Sequence, residues 1–179
     1  MLKKMVFASI LILNSINMMS QEFDNKYLIS IIYIKSNDAL KDEIRSFFKK
    51  DIPKKSSEIS FHVSDKITFI DVYPYRDEIA PILNSKLGFS VFDSKEGFKK
   101  NYMFEPVESG YMKELLPTSS QNLTLQFSKP IDNFLVAELM NFDSNKTNGI
   151  KFGKGLRMLF VFNKKGLVDR VYTKSFIYN

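Results

Sequence analysis

The 179-residue sequence contains no cysteine and no tryptophan, and it has only one histidine. The absence of cysteine excludes disulfide bonds, thiol nucleophiles, iron–sulfur clusters and cysteine-ligated zinc. A single histidine excludes every site that needs two imidazoles. Charged residues make up 26% of the chain and hydrophobic residues 44%, which is ordinary for a globular protein and excludes a disordered one.

Arginine is also scarce, although the chain is basic. Of its 26 basic residues only four are arginine, and 20 acidic residues leave a net charge of +6. Arginine is the side chain that bidentate phosphate and base contacts favour. The lysine pairs are scattered among acidic residues, which is typical of a solvated surface. We therefore expect no nucleic-acid partner.

The N-terminus has the anatomy of a secretory signal peptide. Lys3 and Lys4 precede the apolar run Met5–Leu13, and a polar stretch follows. The run is far shorter than the ~20 apolar residues of a membrane-spanning helix. We expect a cleavable signal peptide over residues 1–20, with the cut between Ser20 and Gln21, and an exported mature protein without a stable membrane span. It would be periplasmic or secreted, with 24 basic and 20 acidic residues and a net charge of +4.

The first half of the mature chain mixes strand and helix patterns. Tyr27–Ile34 is β-branched and aromatic, which predicts a strand covered on both faces. Asn37 is a good N-cap for a helix whose apolar residues share one face. Further predicted elements are a strand over Glu58–Val63 with a turn at Ser64-Asp65, a strand over Ile67–Tyr73, a short helix from about Ala80, strands over Phe89–Phe92 and Tyr102–Val107, and helical turns over Gly110–Leu116.

The C-terminal region predicts a meander of four antiparallel strands. The strands are expected over Leu123–Phe127, Phe134–Phe142, Leu156–Phe162 and Leu167–Tyr178. Gly166 closes the last hairpin, where a bulge-type turn needs a positive φ. Residues 21–179 thus predict a single α+β domain, with a mainly antiparallel sheet and two or three short helices.

Three carboxylates are candidate catalytic groups. Glu138 lies on the face of its predicted strand that should point inward, so it is either functional or paired, for example with Arg157 or Arg170. Glu105 and Glu108 are the other two candidates. Because residues three apart on an extended chain point to opposite faces, Glu105 and Glu108 are poor partners for each other.

A stretch of interleaved aromatic and basic residues is the candidate binding site. It comprises Phe98, Lys99, Lys100 and Tyr102. Such a stretch stacks on sugars or bases when it is exposed. The alternative is a core strand with a charged beginning.

No residue pattern predicts a metal or a cofactor. The segment from Asp143 to Gly149 begins like a calcium loop, but its glycine comes one position late and Lys154 stands where a bidentate glutamate is needed. His62 lies on the polar face of its predicted strand, where a solvent-facing role is the ordinary one.

Two functional hypotheses follow from these patterns. The first is a small exported bacterial protein that binds a protein, a polymer or an apolar ligand without catalysis. The alternative is a carboxylate-dependent hydrolase that acts on cell-envelope or glycan substrates. A cavity that holds two unpaired acids would favour the hydrolase, whereas an aromatic surface would favour binding.

Overall fold

The protein is mixed helix and sheet in the computed structural model, which describes residues 25–50, 52, 58–79, 81, 107–115, 123–141 and 153–178. The helical elements are α1 over residues 25–36, α2 over Asp38–Phe47, a 3-10 helix over Tyr73–Tyr75 with a helical turn at 76–79, and α3 over Gly110–Glu114. The strands are β1 over His62–Ile67, β2 over Val107–Glu108, β3 over Thr124–Phe127, β4 over Phe134–Met140, β5 over Gly153–Phe162 and β6 over Val168–Tyr178.

The six described strands form one sheet in the order β2-β1-β3-β4-β5-β6. The pairs β1–β2, β3–β4, β4–β5 and β5–β6 are antiparallel, and β1–β3 is parallel. The two edges of this sheet differ in length, because β2 has two residues and β6 has eleven. The prediction of a mainly antiparallel sheet is confirmed, since four of the five described strand pairs are antiparallel.

The two faces of the sheet are covered by different parts of the chain. All seven residues of β4 are buried, so neither of its faces meets water. Leu135, Ala137 and Leu139 belong to the apolar cluster that includes α1 and α2. Phe134 and Val136 alternate with them and pack against residues 70–79, which we call the strap. The strap contributes four buried apolar residues: Ile70, Val72, Tyr75 and Ile79.

The predicted strand over Tyr27–Ile34 is wrong, because this segment is helical. Its buried apolar residues are Tyr27, Ile31 and Ile34, at spacings of four and three, whereas Leu28 and Ile32 are exposed. That spacing is the helical period. An almost continuous apolar run hides it, and packing against the sheet outweighs the β propensity of isoleucine and tyrosine.

The predicted turn at Ser64-Asp65 is also wrong, since both residues lie inside β1. The expected return strand over Ile67–Tyr73 does not form. The chain instead leaves β1 after Ile67 and enters the strap. The preceding alternation is confirmed, since Ile59, Phe61 and Val63 are all buried. β1 pairs in parallel with β3, which is distant in the sequence. This pairing outweighs the turn preference of Ser64 and Asp65, so the strand continues through them.

The helix after Asn37 is confirmed, and so is its cap. The Asn37 side chain accepts a hydrogen bond from the backbone N–H of Leu40 at 3.0 Å. Leu40, Ile44 and Phe48 are buried against the sheet. The helical turns predicted from Gly110 form α3, and Gly166 has φ +75° as its turn requires. The predicted strand Phe89–Phe92 and most of the predicted strand Tyr102–Val107 lie outside the described residues.

Candidate functional site

Glu138 is paired with Arg157 across neighbouring strands. The two residues are directly opposite each other in the β4–β5 register. Arg157 donates from Nη2 and Nε to Oε1 of Glu138 at 2.5 and 2.7 Å. Glu138 is only 6% exposed, and such a buried carboxylate is stable when a cation and hydrogen bonds compensate its charge. The pairing with Arg157 is one of the two that its position predicted.

Arg157 also fastens the strap to the sheet. Its Nη1 donates to the carbonyl oxygen of Asp71 at 2.6 Å, and its own carbonyl oxygen accepts from the hydroxyl of Tyr75 at 2.6 Å. Tyr75 is fully buried, and burial raises the pKa of its phenol well above the ordinary value. These contacts use the donors of Arg157 for structure, so the Glu138–Arg157 pair serves as a polar clamp between strap and sheet.

A second basic side chain supports the same contact from the end of the sheet. Lys174 on β6 donates to the carbonyl oxygen of Pro74 and pairs with Glu78 at 3.0 Å. Its ammonium lies 4.9 Å from the ring centre of Tyr75. Lys174 is therefore bent back over the strap and does not project along the outer edge of the sheet.

The structure does not bring Glu108 and Glu138 together. Glu108 lies on β2, is exposed and contacts Lys113 at 3.5 Å. Two strands, β1 and β3, separate β2 from β4, which places Glu108 roughly 14 Å from Glu138 along the sheet. Glycosidase carboxylates are about 5–9.5 Å apart. Glu105 lies outside the described residues.

The other predicted site residues have different outcomes. Phe98, Lys99, Lys100 and Tyr102 all lie outside the described residues. His62 is half-buried at the beginning of β1, where its backbone N–H donates to the carbonyl oxygen of Leu123 at 2.8 Å. His62 therefore has a structural place in the pairing of β1 with β3.

Among the described residues, the features that protect the long edge strand β6 against pairing lie at its beginning. An extra residue, Asp169, interrupts the β5–β6 register, and it stands beside the charged Arg170. Bulges and charges are the devices that keep edge strands from pairing. Residues 171–178 contain no proline and no register shift, and their one charged side chain is Lys174, which is directed over the strap. Within the described ranges no strand pairs with the outer side of β6.

A shallow groove of about 590 Å³ runs beside this edge, between α2 and β6. Its floor is partly apolar through Phe47 and Leu156, and Thr173 and Ser175 line it from β6. The Thr173 hydroxyl donates to Oε1 of Glu43 on α2. We call the outer side of residues 171–178, together with this groove, the edge site.

Sequence reasoning missed the edge site for a physical reason. A strand's pattern predicts which face is buried but not which strand ends the sheet. One signal was present, namely a last strand of mainly β-branched and aromatic residues with a single charge after Arg170. The groove itself depends on α2 and β6, which are more than 100 residues apart in the chain.

Among the described residues, no group of three or more acidic or histidine side chains is arranged to hold a metal ion. The helices in these ranges include none long and apolar enough to cross a membrane. Comparison of the chain with protein-family models, with curated proteins and with solved structures finds no significant match.

Proposed function

We propose that the protein is a small exported binding protein without catalytic activity, which takes up an extended strand of a partner at the edge site. Residues 21–179 would form one α+β domain, with β3–β6 as its C-terminal meander. The observation that carries the proposal is that no strand of the described ranges pairs with the outer side of residues 171–178. A partner strand that pairs there gains main-chain hydrogen bonds, and its alternate side chains contact the groove.

The state of Glu138 supports a role without catalysis. A general acid or nucleophile must have a carboxylate available to a substrate. The Glu138 side chain is buried and bonded twice by Arg157. Its burial and its contacts are those of a structural group that helps to fasten the strap to the sheet.

Binding is tested with an uncharged strand peptide whose only designed feature is its β pattern. The probe is a nine-residue capped peptide that alternates threonine and valine, with glutamine at its centre. Hydrogen–deuterium exchange is measured with and without an excess of the peptide. We expect slower exchange of the outward-facing amides of residues 171–178, because a new ladder protects them.

Two controls make this result specific. The same peptide with methylated backbone amides lacks the donors for a ladder and should give no protection. Ile177→Lys places a charge on the edge and should weaken binding, whereas Leu167→Lys changes another exposed apolar residue in the preceding turn and should not. Equal protection by both peptides, or none by either, would contradict binding at the edge site.

Export is tested separately by mass spectrometry of the protein from its producing cell. We expect a mature chain that begins at Gln21 and lies outside the cytoplasm. Lys3→Glu with Lys4→Glu should leave the full-length chain inside the cell, because the positive segment of the leader is lost. A soluble cytoplasmic protein that begins at Met1 would rule out export.

A further inference from the structure

One acidic residue at the edge site differs from its neighbours on α2. Asp38 and Asp42 each pair with the basic side chain three positions later in the same helix, at 2.5 and 3.5 Å. Glu43, in the described part of the chain, has no basic side chain at ion-pair distance, and its Oε1 accepts the hydroxyl hydrogen of Thr173. Its carboxylate is thus held at the groove, and within the described ranges no basic side chain compensates its negative charge.

We infer that the partner strand carries a lysine or arginine opposite Thr173, and that this side chain pairs with Glu43. The inference rests on the proposed function, since it requires a strand on β6. Residues opposite each other on neighbouring strands share a face, with Cβ atoms about 4.5–5.5 Å apart. A long basic side chain at that position reaches the groove, where its aliphatic part contacts Phe47 and Leu156.

The same geometry disfavours a second copy of this chain as the occupant. The side chains of β6 on the face covered by α2 include Val171, Thr173 and Ser175, and none of them is charged. In the register that puts the two Thr173 residues opposite each other, pairing of β6 with another β6 would bring two Glu43 carboxylates towards each other. A basic partner strand removes this repulsion.

The opposite face of β6 indicates the remaining chemistry of the partner. Tyr172 and Phe176 lie on that face, opposite Leu159 and Gly155 of β5. Aromatic residues stabilise cross-strand pairs with β-branched and aromatic neighbours. The best partner is therefore an extended segment in which apolar β-branched residues alternate with polar ones, and one of the polar positions is basic.

The inference is tested by changing one charge on each side of the contact. Three capped peptides of alternating threonine and valine differ only at their centre, which is lysine, glutamine or glutamate. Affinities are measured by fluorescence anisotropy for the unaltered protein and for Glu43→Gln. We expect the lysine peptide to bind about two- to fivefold more tightly than the glutamine peptide, as for an exposed ion pair, and the glutamate peptide to bind least.

Glu43→Gln should abolish this preference, because the charge is lost while an amide oxygen still accepts from Thr173. Asp42→Asn is the matched control, since Asp42 is paired within α2 and does not line the groove. It should leave the preference for lysine intact. High salt should reduce the preference, because the pair is exposed.

The possible outcomes separate the two proposals. Equal binding of the three peptides, with protection of β6, would overturn the charge preference and leave strand binding standing. A failure of all three to bind would overturn strand binding itself. A chain that sediments as a dimer and protects β6 without peptide would identify a second copy as the occupant and overturn the basic partner.

Discussion

The ring of Phe176 lies over the backbone of Gly155, its direct neighbour across the β5–β6 pair. A Cβ atom added to Gly155 would come within 2.2 Å of Cζ of Phe176, which is closer than real contacts allow. The guanidinium of Arg157 lies 5.1 Å from the centre of the same ring. The aromatic ring that covers Gly155 therefore favours glycine at this position, since any Cβ atom would force the ring or the backbone to shift.

Gly155→Ala should lower the free energy of unfolding by about 1–3 kcal/mol, because an added methyl group forces the ring or the backbone to move. Urea denaturation followed by circular dichroism measures the change. In a Phe176→Ala background the ring is absent, and the same glycine substitution should cost much less. An equal cost in both backgrounds would show that the ring is not the obstacle.

Breaking the Glu138–Arg157 pair from one side should be severely destabilising. Glu138→Gln and Arg157→Met each leave one buried charge without its partner, at an expected cost of about 3–5 kcal/mol. Glu138→Gln together with Arg157→Met removes both charges and should cost much less than the sum of the single changes. Double-mutant analysis of urea unfolding measures the coupling, and additive costs would contradict the clamp.

Tyr75 should make stability depend on pH at the alkaline end. Burial raises the pKa of its phenol in the folded protein above the ordinary value of 10.0. The unfolded chain therefore loses this proton first, so the contribution to stability is complete below pH 10 and declines as the pH rises above it. Unfolding free energies measured between pH 8 and pH 11 should show the decline.

Tyr75→Phe is the matching variant for this pH profile. It should lower stability by about 0.5–1.5 kcal/mol below pH 10, since the hydrogen bond from the phenol to the carbonyl oxygen of Arg157 is lost. The same change should flatten the decline above pH 10, because the titrating group is gone. A decline that persists unchanged would assign it to other groups.

In the turn between β5 and β6, the need for glycine at position 166 should come from its backbone conformation and not from a lack of space. Its φ is +75°, and nothing lies within 4 Å of the place where a Cβ would stand. Gly166→Ala should therefore cost about 1–2 kcal/mol through the left-handed backbone. Gly166→Asn should cost less, because asparagine tolerates this region better, and thermal unfolding of the two variants compares them. Equal costs would show that the left-handed backbone at Gly166 is not the cause.

The sequence predicted the elements whose signals are local. Asn37 and the apolar spacing after it mark α2, and alternation with a glycine turn marks the strands around Gly166. The error at α1 arose because an almost wholly apolar segment has no visible period. Its helical state depends on the sheet against which it packs, and most of that sheet comes a hundred residues later.

The residues of the candidate site also divide into those that local sequence signals predicted and those that they did not. The inward position of Glu138 and its pairing with Arg157 were predictable from strand alternation. The position of Glu43 at the groove was not predictable, since its contact with Thr173 spans 130 residues. Such a contact depends on how a helix packs on the sheet. The periodicity within one segment does not predict that packing.

The packing of α1 has a consequence for the order in which the chain acquires its structure. The Lys26 ammonium donates to the carbonyl oxygen of Asp132 at 2.6 Å, and the Tyr27 hydroxyl donates to that of Ser128 at 3.3 Å. The first described helix thus finishes its contacts only after the ribosome has made the loop before β4. The β3–β4 and β5–β6 hairpins close over short loops, whereas α1 must wait for a closure of about a hundred residues, so its docking should be the late and slow event of folding.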